Sequence, residues 1–183
     1  MWDMTCDERG ARAADWRSFY PGDDVVDWWG VNVFQPGDGF NSLPNSVCVK
    51  SFVQAAESAD FPVLIAEAMP RYIGTNSNWS YTCSHHMQDV CNVSSWNGWF
   101  DPFFDLLKEP SVKGFSYIDR DCTTDEHAHK CSGGQWGDAR IETSALLGPK
   151  YAQALRRPGL VHAATLNETC SVLGVECGRK HLW

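Results

Sequence analysis

The chain has 183 residues, 43% of them apolar and 21% charged, which is enough for one domain with a sizeable core and excludes a disordered segment. Fifteen Lys plus Arg against 23 Asp plus Glu leave a formal charge of −8 with no basic run, so neither nucleic acid nor an anionic membrane surface is an expected partner. No apolar stretch approaches the roughly 18 residues that a bilayer span requires.

Read in chain order, the elements alternate. Met1 to Thr5 is a candidate strand remnant. Val25-Val-Asp-Trp-Trp-Gly-Val-Asn-Val-Phe34 is β-branched and aromatic between two Pro-Gly-Asp segments, which is the pattern of a strand. Ser46 to Ser58 carries Val49, Phe52, Val53 and Ala56 at the i, i+3, i+4, i+7 spacing of an amphipathic helix. Phe61-Pro-Val-Leu-Ile-Ala66 is a near-continuous apolar run, as in a parallel strand covered on both faces, and Pro62 fits only at its first position. A polar loop runs to about Ser95, and Trp99, Phe103, Leu106 and Leu107 make the next helical stripe, ending before Pro110. Val112 to Ile118 is a third strand, and Pro149 to Arg157, with Tyr151, Ala154 and Leu155, a closing helix.

Such alternation predicts an α/β fold with parallel strands and right-handed crossovers. Three or four strands do not close a sheet. They are either the C-terminal half of a (β/α)8 TIM barrel, which takes about 250 residues when complete, or a nearly whole open sheet. Neither G-x-G-x-x-G nor G-x-x-x-x-G-K-[ST] occurs, which counts against the nucleotide-binding open sheets.

Eight cysteines, at 6, 48, 83, 91, 122, 131, 170 and 177, contain no C-x-x-C pair, so oxidised pairing is expected rather than a zinc ribbon. Cys83/Cys91, Cys122/Cys131 and Cys170/Cys177 are near neighbours that each enclose a polar loop, leaving Cys6/Cys48; this is one of about 105 possible connectivities. Asn78-Trp-Ser80, Asn92-Val-Ser94 and Asn167-Glu-Thr169 are N-glycosylation sequons. Disulfides and sequons together point to a secreted glycoprotein; the alternative is a cytosolic protein with free thiols. Met-Trp-Asp-Met-Thr-Cys at the start is not a signal peptide, and the expectation is a fragment whose signal lies upstream in a longer protein.

Glu67 follows directly on the strand Val63-Leu-Ile-Ala66. An acid at the C-terminal end of a buried parallel strand stands where βα-loop sites are built, and a charge there needs compensating donors or a chemical task. The non-catalytic alternative is an ion pair with a neighbour such as Arg71.

Four segments together resemble the last three strands of clan A glycoside hydrolases, in particular the β-mannanase-like family 26 and its relatives: Tyr20-Pro-Gly-Asp-Asp-Val-Val-Asp-Trp-Trp-Gly-Val-Asn-Val-Phe34, Phe61-Pro-Val-Leu-Ile-Ala-Glu-Ala68, Ser95-Trp-Asn-Gly-Trp-Phe100 and Val112-Lys-Gly-Phe-Ser-Tyr-Ile-Asp-Arg-Asp121. The resemblance implies a single domain over 1–183, holding about strands 5 to 8 of a (β/α)8 barrel. It also implies a retaining endo-hydrolase of a β-linked polysaccharide such as β-mannan or β-glucan, with Glu67 as nucleophile. The family's acid/base ends the fourth strand, ahead of this sequence, and no second Glu here matches its motif, so the chain alone is expected to be inactive. The rival reading is a non-catalytic carbohydrate-binding or degenerate barrel.

Further candidates for the substrate-binding lining are Asn32 and Phe34, which share strand parity, Tyr117 and Asp119 at the end of the last strand, and Trp79 and Trp136 in loop-rich stretches. Trp96 is a third aromatic of that kind. Arg120 stands where relatives often carry an aromatic sugar platform. His85-His86 and His127-Ala-His129 lack a helix context or a fixed-spacing partner, so neither a metal nor any other cofactor is expected.

Overall fold

The structure is a computed structural model that describes residues 1–6, 16–34, 43–70, 73–74, 96–122, 137–145, 147–156 and 160. The chain divides into two compact units, Met1–Gly148 and Pro149–Trp183. In order, the elements are β1 (Trp2–Thr5), a short 3-10 turn (Trp16–Phe19), β2 (Trp29–Val33), α1 (Val47–Ser58), β3 (Val63–Ala68) and β4 (Ile73–Gly74). A wide π-type turn (Trp96–Phe100), α2 (Asp101–Leu106), β5 (Val112–Tyr117), β6 (Gly137–Asp138) and α3 (Leu147–Leu155) follow. Four strands form one sheet in the order β1-β2-β3-β5, and every neighbouring pair is parallel. β4 and β6 form a separate two-stranded parallel pair.

Local chemistry explains most boundaries. Ser46 caps α1, its Oγ accepting from Val49 N at 3.3 Å, and Val49, Phe52, Val53 and Ala56 are the buried stripe that the spacing predicts. The strand expected from Val25 begins only at Trp29, because Tyr20 to Trp28 is wound into a turn. Gly22 adopts φ 114°, a conformation that glycine tolerates, and Val25 N donates to Gly22 O at 3.3 Å. β3 starts later than expected and runs on to Ala68. Phe61 N closes onto Ala56 O of the preceding helix at 2.9 Å, while Pro62, with no N–H, offers only its carbonyl, which accepts from Trp29 N at 3.0 Å. Of the expected stripe, Phe103 and Leu106 are buried on α2 and Trp99 in the wide turn before it, which also buries Trp96 and Phe100, while Leu107 is the half-buried C-cap. α3 begins two residues ahead of the expected Pro149, since Ser144 Oγ accepts from Leu147 N at 3.0 Å.

Register sorts the sheet into two faces. Trp2, Trp29 and Val63 share one row, and Met4, Val31, Ile65 and Phe115 another on the same face. That face is apolar and lies under the helices: Phe52 of α1 meets Trp2 and Trp29 at 5.7 and 5.2 Å between ring centroids, and Phe103 of α2 meets Phe115 at 5.4 Å. At the strands' N-terminal ends Trp2, Trp16, Tyr20, Trp29 and Phe52 pack against one another. Trp29 Nε1 donates to Tyr20 Oη at 3.2 Å, and Tyr20 Oη donates to Asp23 Oδ1 at 2.7 Å. The Tyr-Pro-Gly-Asp segment is thus a clamp on the core. Cys6, directly after β1, is disulfide-bonded to Cys48 in the first turn of α1, the pair that the sequence left over.

Candidate active site

On the opposite face the residues, Leu64 apart, are small or polar. Asp3, Gly30, Leu64 and Gly114 form one row, and Thr5, Asn32 and Glu67 the next toward the strands' C-terminal ends. Glu67 is there because of a bulge. Val31 pairs with Ile65 but Asn32 pairs with Glu67, and on the other side Phe115 pairs with Ile65 but Tyr117 with Ala68. β3 therefore carries one extra residue, Ala66, against both neighbours. Strict alternation from Val63 and Ile65 sends Glu67 under the helices; the extra residue turns it to the polar face, beside Asn32. Bulges re-aim side chains in this way at strand ends and near active sites.

Glu67 is exposed. Among the described residues it makes no hydrogen bond or ion pair, and Arg71, its candidate partner, lies outside them. Asn32 is held firmly: its Nδ2 donates to Asp3 Oδ2 at 3.2 Å and to Thr5 Oγ1 at 3.0 Å. Its Oδ1 is shielded from solvent and has no partner. Asp3 lies over Gly30, where an added Cβ would stand 2.7 Å from Asp3 Oδ1 and 3.1 Å from its Cα. Partial burial holds the Asp3 carboxyl above its ordinary value, while hydrogen bonds from Asn32 and the Met4 backbone pull it back.

The remaining candidates stand elsewhere. Phe34 is buried with Met69, Cys122 and Ala139 in a separate apolar cluster against which Ile118 packs. Tyr117 lies on the helix-covered face near Trp99 and Phe100, and its hydroxyl donates to Ala139 O at 2.9 Å. Asp119 Oδ1 accepts from Ile141 N at 2.8 Å. Both residues tie the exit of β5 to the segment after β6, where buried Asp138 takes a two-point contact from Arg140 at 2.9 and 2.8 Å, with Asp121 at 3.1 Å. Those carboxylates raise the Arg140 pKa further above its ordinary value. Trp96 Nε1 donates to Asp101 Oδ1, and its ring stacks on Phe100. Trp79, Trp136, His85, His86, His127, His129 and all three sequons lie outside the described residues, as do Cys83, Cys91, Cys131, Cys170 and Cys177. Cys122 is disulfide-bonded, and no cysteine among the described residues is free. Nor do the described residues contain a group of three or more His, Cys, Asp or Glu placed to hold a metal ion.

The sequence singles out Asn32 and Glu67 as candidates but not Asp3 and Thr5, which strand pairing places beside them. A strand of four residues has too few positions for alternation to sort its faces.

No protein-family model matches the chain. Two curated proteins are similar to it. The beta-1,3-xylanase TXYA of Vibrio sp is 31% identical over 150 residues, covering 79% of this chain and 32% of that protein. A beta-1,3-xylanase of Alcaligenes sp is 30% identical over 151 residues, 79% of this chain and 31% of that protein. The chain spans about a third of the length of the curated relatives it matches.

Proposed function

We propose that the chain is part of a secreted glycoside hydrolase of the retaining type, in which Glu67 attacks the anomeric carbon of a β-1,3-linked xylan. The observation that carries this reading is the bulge at Ala66, which sets an exposed carboxylate at the C-terminal end of a parallel strand, on the polar face of the sheet. The similarity to two beta-1,3-xylanases supports a glycoside hydrolase and favours xylan over the β-mannan and β-glucan suggested by the family 26 resemblance. A (β/α)8 barrel, with this sheet as four of its strands, is part of the same proposal. The strands stand in chain order, without the reversal of a doubly wound sheet. Asp3 leaning over Gly30 and Leu64 over Gly114 match the small-against-large filling of a barrel interior. The Cys6–Cys48 disulfide supports an oxidising compartment.

Retention needs a second carboxyl group about 5–5.5 Å from the first to protonate the leaving oxygen, and the proposal assigns it to protein outside this chain. An activated fluorinated xyloside, whose leaving group needs no acid, tests the nucleophile directly. The expected result, read by peptide mass spectrometry of the full protein, is a covalent label on Glu67, absent in Glu67→Gln, with hydrolysis of β-1,3-xylan falling by several orders of magnitude. A Glu67→Gln protein that cleaves β-1,3-xylan at the wild-type rate removes the assignment; a wild type that binds the polysaccharide without cleaving it leaves a carbohydrate-binding protein.

A further inference from the structure

Glycosidic attack by Glu67 leaves one feature of the polar face unexplained: a buried acceptor with nothing to accept. Both hydrogens of the Asn32 amide are committed to β1, one to Asp3 Oδ2 and one to Thr5 Oγ1. Its carbonyl oxygen, shielded and unpartnered, is turned away from those two acceptors, and on the other side of β2 the residue in register is Glu67. The amide does not turn over, because that sets its oxygen against the Asp3 carboxylate, acceptor against acceptor. Buried polar atoms in native proteins nearly always find a partner, and one that lacks it calls for an explanation, such as a group taken up on binding.

We propose that Asp3 is a positioning residue that locks the Asn32 amide with Oδ1 facing the Glu67 side, so that the pair of acceptors, Oδ1 and the Glu67 carboxylate, takes a hydroxyl of the bound sugar. The inference rests on the glycosidase reading and deepens it. A site offering acceptors alone selects a group that donates; a sugar hydroxyl does so, whereas the carboxylate of an acidic sugar meets Glu67 as a like charge. Oδ1 itself is closed to solvent, so the hydroxyl reaches it only from the Glu67 side, where the exposed side chain has room to swing aside. Gly30 belongs to the device: only the absence of a Cβ lets Asp3 lie close enough to reach Asn32.

The test is a double-mutant cycle in the full protein, read by calorimetric binding of a thio-linked β-1,3-xylotetraose that the enzyme does not cleave. Asp3→Asn keeps the shape but supplies an amide donor and frees the Asn32 amide to turn; Asn32→Leu removes Oδ1. Each single variant is expected to weaken binding about tenfold, and the double variant no further than Asn32→Leu, because Asp3 acts through Asn32. Losses that add, or an Asp3→Asn protein that binds like wild type, overturn the proposal. If Asn32→Leu does not fold, the side-chain amide NMR signal of Asn32 decides: it must move both on adding the oligosaccharide and on Asp3→Asn, and a signal that stays put in either case overturns it. A wild type that binds no β-1,3-xylotetraose brings down the glycosidase reading and this inference together; binding that survives Asn32→Leu removes the inference alone.

Discussion

The two ends of the one sheet are built on opposite plans. At the strands' N-terminal ends, Trp2, Trp16, Tyr20, Trp29 and Phe52 pack ring against ring, and the Trp29 indole and Tyr20 hydroxyl are joined in a chain that ends on Asp23. Toward the C-terminal ends, Asn32 keeps a buried oxygen without a partner and Glu67 stands exposed without an ion pair among the described residues. The first arrangement is what stability requires, each edge-to-face or stacked pair adding about 0.5–1.5 kcal/mol beyond its burial. The second holds groups back from one another, as a site that is completed by a ligand must. Separation of the two along the strand axis is the division of labour found in parallel α/β sheets, and it lets each end be perturbed alone.

The largest stability loss is expected at the aromatic end. Trp29→Ala removes a residue only 4% exposed that contacts five other rings, and urea unfolding is expected to show a loss of about 3–5 kcal/mol. Replacing Cys6 and Cys48 together by Ser opens a loop of sequence separation 42; the expected cost is about 2–4 kcal/mol, seen as a lower melting temperature. Gly30→Ala joins the two regions, because its Cβ meets Asp3. It is expected to cost about 1–3 kcal/mol by overpacking and, unlike Trp29→Ala, to weaken oligosaccharide binding in protein that remains folded.

At the polar end the stability effects are small. Glu67→Gln is expected to stay within about 0.5 kcal/mol of wild type, so that the substitution proposed to remove turnover leaves the unfolding curve in place; a large shift would mean that Glu67 is structural. The Asp3 carboxyl is raised above the unfolded value of 3.8, so the folded state binds more proton than the unfolded one in the window just above that value, and stability declines as pH rises through it. Asp3→Asn is expected to flatten that slope in urea melts at several pH values between 3.8 and neutrality. An unchanged slope would deny the desolvation of Asp3.

Signals that act within a few residues were readable in the chain itself. Ser46 and the Val49, Phe52, Val53, Ala56 stripe define α1 because capping and helical periodicity are local. Pro62 marks the entry to β3 because a residue without an N–H cannot pair inside a central strand, and Glu67 stood out as an acid closing an apolar run. What the chain could not display is anything set by its neighbours across the sheet. The face on which Glu67 lies depends on one residue of register slip against β2 and β5 together, and alternation alone assigns it to the wrong side. Phe34 shares parity with Asn32, yet the strand ends at Val33 and the next side chain falls into a cluster with Met69 and Cys122. Asp3 entered the site only when β1 paired beside β2 and brought a carboxylate from 29 residues away onto the Asn32 amide. Composition and local pattern determined the elements and the class of face each can present; strand pairing, which acts between residues far apart in the chain, decided which polar groups meet.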